Sequence, residues 1–152
     1  MRVEFSFPAQ TTHLRVVRAI VSELTALCTT DANEIAWMVQ AADEAISNVV
    51  DHAYRGRTDG TVIVVCEARD GELEFRVTDR GQSFAFDPKA PFDLEAYIAA
   101  GKGRGLGLHM IRRVADHLEY SSKDGANVLV IRRRLRGSSG EGAAGPGGVH
   151  GR

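Results

Sequence analysis

Short segments with the patterns of β-strands recur along the chain. Residues 72–78 alternate between apolar and polar side chains, and residues 61–67 are rich in β-branched side chains. The Asp70-Gly71 pair between these segments is typical of a tight hairpin turn, and Asp124-Gly125 separates two later segments in the same way. Strands are therefore predicted at residues 3–7, 61–67, 72–78, 118–122 and 127–134.

Longer segments carry apolar residues every three or four positions, which is the spacing of amphipathic helices. The first begins after Thr11 or Thr12, either of which can cap a helix. The last covers about 106–116 and directly follows a run of glycines. The region 84–104 is irregular, with one short helical stretch at 93–100.

The second helix is predicted to begin at Asp31 or Asn33 and to end near Tyr54, before Arg55-Gly56. One narrow face of this helix is apolar and is predicted to be buried. That face consists of Ile35, Val39, Ala42, Ile46, Val49 and Ala53. The opposite side is predicted to carry Glu44, Asn48 and Asp51, with His52 at its edge.

The length of 152 residues fits one domain followed by a short tail. Strands and helices follow one another in a mixed order, without the regular alternation of a doubly wound sheet. From Gly137 onward the chain consists mainly of glycine, serine and alanine, which bury too little apolar surface to offset the entropy of ordering. We therefore expect an α/β domain over residues 1–136 and a disordered tail over 137–152.

Charge and cysteine content exclude several classes of protein. The net charge of −1 favours neither nucleic acid nor an anionic membrane as a partner, and the Arg132–Arg134 run is interpreted as the solvated end of a sheet. Cys28 and Cys66 lie among apolar residues and are predicted to be buried thiols. The histidines share no metal-ligand spacing. No signal peptide or membrane-spanning run is visible, so a cytoplasmic location is expected.

Three local motifs carry candidate chemistry. In the first, Glu44 and Asn48 are four residues apart on the second helix, so their side chains are neighbours. A carboxylate beside an amide oxygen can accept a proton from a hydroxyl and can offer an oxygen ligand to Mg²⁺. A plain solvated helix face would show the same pair, so the motif gains weight only in combination with others.

The second motif, Asp79-Arg80-Gly81, is placed where a buried strand ends in a loop. A carboxylate there can accept a hydrogen bond from an exocyclic amine such as that of adenine, and Gly81 allows the backbone to approach a flat ligand. Aspartate and glycine are also common in ordinary turns.

The third motif is the glycine-rich run from Gly101 to Leu108, which leads into a helix. Its backbone N–H groups and the helix N-terminus can hold phosphate, and Lys102 and Arg104 add positive charge. The spacing fits neither a dinucleotide-binding fingerprint nor a Walker A loop. Together the three motifs supply a base with a metal ligand, an adenine acceptor and a phosphate cradle, as an ATP site requires.

In this order the motifs resemble those of the ATPase superfamily that contains DNA gyrase, Hsp90, sensor histidine kinases and MutL. Glu44-Ala-Ile-Ser-Asn48 is similar to its N box, and Asp79-Arg80-Gly81 and Gly103-Arg-Gly-Leu-Gly-Leu108 are similar to its two glycine boxes. Within the superfamily, the short length and the 48–54 and 104–116 segments look most like the anti-sigma factor serine kinases of the RsbW and SpoIIAB type.

The resemblance implies a Bergerat-type fold, a two-layer α/β sandwich with helices on one face of a mixed sheet. It also implies residue roles. Glu44 would be the catalytic base and Asn48 the Mg²⁺ ligand, Asp79 and Gly81 would bind adenine, and Gly103, Gly105 and Gly107 would surround the phosphates within a mobile lid at about 88–104. His52, Arg104 and Leu106 complete the implied nucleotide site. Asn127 stands near the position where many members have Gly-Thr, and a water-mediated contact with adenine is implied for it.

Members of this family bind a sigma factor and phosphorylate an anti-anti-sigma protein of the STAS type, usually as homodimers. The expected function is therefore that of an ATP- and Mg²⁺-dependent serine/threonine kinase acting as an anti-sigma factor. An alternative is an ATP-binding module that sequesters a partner without efficient phosphotransfer. A histidine kinase ATPase domain is disfavoured, because no helical hairpin with a phospho-accepting histidine precedes the motifs.

Overall fold

The computed structural model describes residues 1–83 and 106–136 of the chain. The strands are β1 (Arg2–Pro8), β2 (Thr61–Arg69), β3 (Glu72–Asp79), β4 (His117–Lys123) and β5 (Ala126–Arg134), and the α-helices are α1 (Leu14–Ala26), α2 (Ala32–Asn48) and α3 (Leu106–Val114). The predicted lid, the helical stretch at 93–100 and the tail at 137–152 lie outside the described residues, as do Gly103, Arg104 and Gly105.

The five described strands form one sheet in the order β1-β2-β3-β5-β4, and every neighbouring pair is antiparallel. The predicted two-layer α/β sandwich is confirmed, but the expected mixed pairing is not found among these strands. Two helices separate β1 from β2, and the two strands pair antiparallel, whereas a single crossover helix would give a parallel pair. Both predicted hairpins are present, with positive φ at Asp70, Gly71, Asp124 and Gly125.

Helix α2 begins as predicted at Asp31, whose side chain accepts a hydrogen bond from the Asn33 backbone N–H at 2.8 Å. It continues from Val49 to Ala53 as a π-helical turn, a rare geometry that is often found beside functional sites. The predicted threonine cap of α1 is wrong. Thr11 and Thr12 lie in a 3₁₀ turn that precedes α1, and no side chain caps either element.

The apolar core lies between the sheet and the helices. Its largest fully buried side chains include Phe75, Met38 and Ile46. The predicted buried face of α2 is correct for Ala42, Ile46, Val49 and Ala53, whereas Ile35 and Val39 are only half-buried. The face is broader than predicted, because Met38, Ala41 and Ala45 are also buried.

A buried ion pair joins the start of α2 to β5. Glu34 is 3% exposed, and its two carboxylate oxygens accept hydrogen bonds from Arg133 at 2.8 and 2.9 Å. Arg132 points to the other face of the sheet and pairs with Glu74 at 2.6 Å. The arginine run is therefore not simply a solvated sheet end, because alternate residues of a strand face opposite sides.

Within residues 1–83 and 106–136, no helix is long and apolar enough to cross a membrane. Both cysteines are free thiols, with Cys66 buried and Cys28 half-buried. Burial raises the pKa of the Cys66 thiol to about 12, so this group stays protonated at neutral pH.

Candidate functional site

The Asp79 turn lies at the end of β3, where the pairing register places Asp79 directly opposite Asn127 of β5. The Asn127 side-chain N–H₂ group donates to Asp79 Oδ1 at 2.8 Å and to the Gly81 carbonyl at 3.1 Å. The Gly81 backbone N–H also donates to Asp79 Oδ1, at 2.8 Å. Asp79, Gly81 and Asn127, three of the predicted site residues, therefore form one hydrogen-bonded cluster.

This cluster leaves one carboxylate oxygen available. Asp79 is 4% exposed and Asn127 is 2% exposed, and both described donors to Asp79 bond to the same oxygen, Oδ1. Within residues 1–83 and 106–136, no group donates to Asp79 Oδ2. A buried carboxylate oxygen without a donor is costly, so it favours a ligand that brings an N–H group.

Gly81 is held against the C-terminal end of α2. The Gln82 backbone N–H donates to the Ala53 carbonyl at 2.8 Å. A Cβ at Gly81 would lie 2.5 Å from that carbonyl oxygen, so a larger residue cannot occupy the position without displacing backbone. The glycine required by the sequence motif is thus explained by contact with the helix.

Tyr54 also holds this turn, and the sequence analysis did not identify it as a site residue. Its hydroxyl donates to the Thr61 carbonyl at 3.1 Å and accepts from the Arg80 backbone N–H at 3.0 Å. Tyr54 lies at a predicted helix end, and this position could have identified it. A buried tyrosine hydroxyl at such a position needs polar partners, and nearby backbone groups can supply them.

Glu44 lies four residues before the end of α2 and contacts the beginning of α3. Gly107 of α3 is buried, and a Cβ at this position would overlap the carboxyl group of Glu44. The end of the glycine-rich run and the N-terminus of a helix are thereby placed beside the candidate base. Backbone N–H groups at such a terminus favour anions such as phosphate.

Asn48 is 8% exposed, so it does not lie on the free side of α2 as predicted. Its side-chain Nδ2 donates to the Glu44 backbone carbonyl at 2.7 Å, which fixes the orientation of the amide. The amide oxygen Oδ1 has no donor within residues 1–83 and 106–136. It therefore remains available as a hard oxygen ligand.

The helix α2 relates these groups in space. Gly107 contacts Glu44, the Asp79 turn contacts Ala53 nine residues later, and Asn48 lies between them. Nine residues of helix extend over roughly 13 Å. Glu44, Asn48 and the Asp79 turn thus follow one another along a single helix. A nucleotide with its phosphates at the Glu44 end would need this order.

The remaining predicted site residues are not brought into this arrangement by described contacts. His52 and Asp51 are exposed on the π-helical turn. Leu106 is the first residue of α3. Gly103, Arg104 and Gly105 lie outside the described residues.

Comparisons with known proteins agree with this geometry. Residues 7–133 match the family of histidine kinase-like ATPase domains. The serine-protein kinase RsbW of Bacillus pumilus is 30% identical over 138 residues, which cover 86% of this chain and 84% of that protein. RsbW of Bacillus velezensis is 28% identical over 134 residues, with the same coverage of 86% and 84%.

Two solved structures share the fold. One contains the RsbU and RsbW domains of a Mycobacterium tuberculosis protein, with a TM-score of 0.65 and 24% identity; the match covers 89% of this chain and 32% of that longer chain. The other is the SiaB–SiaC complex of Pseudomonas aeruginosa, with a TM-score of 0.56, 16% identity, and coverage of 86% and 88%. The chain therefore belongs to the histidine kinase-like ATPase domains, a family that binds ATP, and within it to the serine-protein kinases of the RsbW type.

Proposed function

We propose that this chain transfers the γ-phosphate of ATP to a serine hydroxyl of an anti-anti-sigma protein of the STAS type. The proposal depends most on one observation, which is that the Glu44 carboxylate has no cationic partner among the described residues. Two other carboxylates of α2, Glu34 and Asp43, are each paired with an arginine. Glu44 has no ion pair within residues 1–83 and 106–136, and it lies against Gly107 at the start of α3.

A carboxylate without a cationic partner can accept a proton. In the proposed step the serine oxygen bonds to the γ-phosphorus, and the bond from that phosphorus to the bridging oxygen of ADP breaks. The hydroxyl proton passes to the Glu44 carboxylate, and ADP leaves with the electron pair of the broken bond. General-base catalysis of this kind contributes about 10²–10⁴-fold to a rate.

The nucleotide is proposed to lie along α2 with its base at the Asp79 turn. Asp79 Oδ2 would accept a hydrogen bond from the adenine amine, Gly81 would lie beneath the base, and Asn127 would hold Asp79 in place. The unpartnered Oδ2 and the cluster around Oδ1 support this assignment. The roles of His52, Gly103, Arg104, Gly105 and Leu106 in holding the nucleotide remain predictions from the sequence.

Mg²⁺ is proposed to be held by Asn48 Oδ1 together with phosphate oxygens of ATP. The described residues contain no group of three or more His, Cys, Asp or Glu side chains that could hold a metal on their own. This fits Mg²⁺, which usually takes one or two protein oxygens and completes its shell with phosphate and water. When bound, the ion would neutralise charge on the transferred phosphate.

The protein partners are inferred from the family. We propose that the chain also binds a sigma factor, so that phosphorylation of the anti-anti-sigma protein controls release of that factor, and that it acts as a homodimer. The SiaB–SiaC structure supports partner binding by this fold, since a protein with a similar fold was solved in a complex. Sedimentation at micromolar concentration tests the dimer.

The test of the proposed function is phosphate transfer from labelled ATP to STAS-type proteins of the same genome. Wild-type protein is expected to label a serine in one of them. Glu44→Gln removes the base while keeping the shape of the side chain, so transfer should fall about 10²-fold or more with ATP affinity retained. The neighbouring Asp43→Asn is the matched control, because Asp43 pairs with Arg18 of α1 at 2.7 Å.

Equal transfer by the wild type and Glu44→Gln would remove Glu44 from the chemistry. Tight ATP binding by the wild type without labelling of any partner would instead favour the alternative, a sequestration module.

A further inference from the structure

The turn after Asp79 has three consecutive backbone N–H groups, and each donates to a fixed partner. The Gly81 N–H donates to Asp79 Oδ1 within the turn, and the Gln82 N–H donates to a carbonyl of the π-helical turn, both at 2.8 Å. The Arg80 N–H donates to the Tyr54 hydroxyl at 3.0 Å. This third bond depends on a side chain outside the turn, so a single substitution can remove it without changing the sequence of the turn.

The direction of the Tyr54 hydroxyl is fixed by its two bonds. A carbonyl oxygen can only accept, so the hydroxyl proton points to the Thr61 carbonyl, which lies 3.1 Å from the hydroxyl oxygen. A lone pair of the same oxygen then faces the Arg80 N–H. Because Tyr54 is 7% exposed, removal of its hydroxyl would leave both backbone groups without this partner in a buried place.

Packing also holds the Tyr54 ring in one place. After Tyr54 the chain reverses through Arg55 and Gly56, which have φ values of 50° and 78°, and it enters β2 at Thr61. Gly60 lies against the ring, since a Cβ at this position would come within 2.3 Å of a ring carbon. Tyr54 therefore joins three segments, which are the end of the π-helical turn, the start of β2 and the turn after β3.

We propose that the Tyr54 hydroxyl orients Asp79 for recognition of the nucleobase, which makes Tyr54 a positioning residue of the proposed ATP site. This inference rests on the proposed function, in which Asp79 Oδ2 accepts a hydrogen bond from the adenine amine. The N–H that Tyr54 holds belongs to the peptide group between Asp79 and Arg80. The bond to Tyr54 thus sets the orientation of the backbone that carries the Asp79 side chain, and Tyr54 acts only through that turn.

The expected effect is confined to the base end of the site. Hydrogen bonds weaken steeply when donor and acceptor are misaligned, so a rotated Asp79 turn should lose its bond to the base amine. Glu44 and Asn48 lie farther back along α2, and their described contacts do not involve Tyr54. Phosphate transfer at saturating ATP should therefore not depend on the Tyr54 hydroxyl.

The first test compares the binding of ATP and ITP to Tyr54→Phe, because ITP has a carbonyl in place of the base amine. The variant should bind ATP about tenfold more weakly than the wild type does, and ITP with nearly the same affinity. The KM for ATP should rise by a similar factor at an unchanged kcat. A role in folding alone would lower the folded fraction and leave the ratio of the two affinities unchanged.

Thr25→Val is the matched control. Thr25 is fully buried, and its hydroxyl donates to the Val21 carbonyl within α1 at 2.7 Å. Valine keeps the shape of the side chain and removes the hydroxyl, so this variant also loses a buried hydrogen bond to the backbone. It should reduce the stability of the domain and keep the ATP preference and kcat of the wild type.

Gly60→Ala reaches the same bond from the other side of the ring. The new Cβ would displace the Tyr54 ring and with it the hydroxyl. The preference for ATP should fall in this variant too. It should fall little further when Gly60→Ala is added to Tyr54→Phe, because the hydroxyl bond is already absent there.

The outcomes separate this inference from the proposed function. An unchanged ratio of ATP affinity to ITP affinity in Tyr54→Phe would overturn the positioning role, while ATP binding and phosphate transfer by the wild type still stand. Equal affinity of the wild type for ATP and ITP would contradict the proposed base contact of Asp79, on which this inference rests. Where Tyr54→Phe fails to fold, the ratio measured for Gly60→Ala decides in its place.

Discussion

Asp79 uses one carboxylate oxygen for two donors of its own chain, and the other oxygen has no donor within residues 1–83 and 106–136. The Asn127 side chain and the Gly81 N–H both reach Oδ1 at 2.8 Å. Because these donors are fixed by neighbouring strands and by the helix end, the Asp79 carboxylate cannot easily exchange its two oxygens. The available position is therefore an acceptor, which in the proposed site would favour a nucleobase with an amine at that point.

Asp79→Asn is expected to change which base is preferred. The two donors at Oδ1 require the amide oxygen of the new side chain, so its N–H₂ group must occupy the Oδ2 position and would face the adenine amine as a second donor. Affinity for ATP should fall by about 10–100-fold, since hydrogen bonds to charged groups contribute about 1.5–3 kcal/mol. ITP, which has a carbonyl in place of that amine, should lose less. Competition binding measures the ratio, and an unchanged preference for ATP over ITP would remove Asp79 from base recognition.

At the scale of elements, α2 positions most of the proposed chemistry, and the Glu34–Arg133 pair fixes its first turn to β5. The side-chain hydrogen bonds that Arg133 donates to the Glu34 carboxylate raise the pKa of Arg133 above its ordinary value. A bidentate pair of this kind sets the orientation of the helix as well as its distance from the sheet.

Breaking the pair on one side should destabilise the domain more than removing both charges. Glu34→Gln removes the buried carboxylate that Arg133 bonds to, and Arg133→Met leaves Glu34 with only the longer contact to Arg136 at 3.8 Å, so each should cost about 3 kcal/mol. The double variant should be more stable than the sum of the two single effects predicts. Urea denaturation measures all three, with Asp59→Asn as control, because Asp59 forms a similar bidentate pair with Arg57 at the exposed surface. If the double variant loses as much free energy of unfolding as the two single variants together, the two residues are not energetically coupled.

The sequence predicted the elements well where local chemistry decides. Asp31 supplies a cap, and the two Asp-Gly pairs adopt the positive φ values that a tight hairpin needs. It predicted the buried face of α2 less well. Alanine occurs on both buried and exposed helix faces, so Ala41 and Ala45 did not stand out, and Met38 was not part of the predicted face. The burial of Glu34 was also missed, since a glutamate in a first helical turn is usually solvated and its partner is 99 positions away.

At the scale of the whole molecule, the order and register of the strands bring Asp79 and Asn127 together. Asp79 and Asn127 are 48 positions apart and meet only because β5 pairs with β3 in the observed register. A sequence pattern gives the strands but not their register across a long connection, so the direct bond between Asn127 and Asp79 was not predicted. That Glu44, Asn48 and the Asp79 turn belong to one nucleotide site is predicted from the order of the motifs and stays a prediction.

The two layers therefore place the Asp79 cluster beside Ala53, at the end of the π-helical turn, and the start of α3 beside Glu44 of α2. The π-helical turn between Asn48 and Ala53 lies between these two points. The central claim is that one MgATP molecule occupies this length of helix.

Titration calorimetry with ATP, with and without Mg²⁺, tests that claim most directly. The wild type should bind one ATP per chain, with affinity that falls when Mg²⁺ is removed, and Asn48→Ala should reduce this dependence on Mg²⁺ because it removes the amide oxygen. Absence of nucleotide binding in the presence of Mg²⁺, or the same Mg²⁺ dependence in Asn48→Ala as in the wild type, would contradict the account.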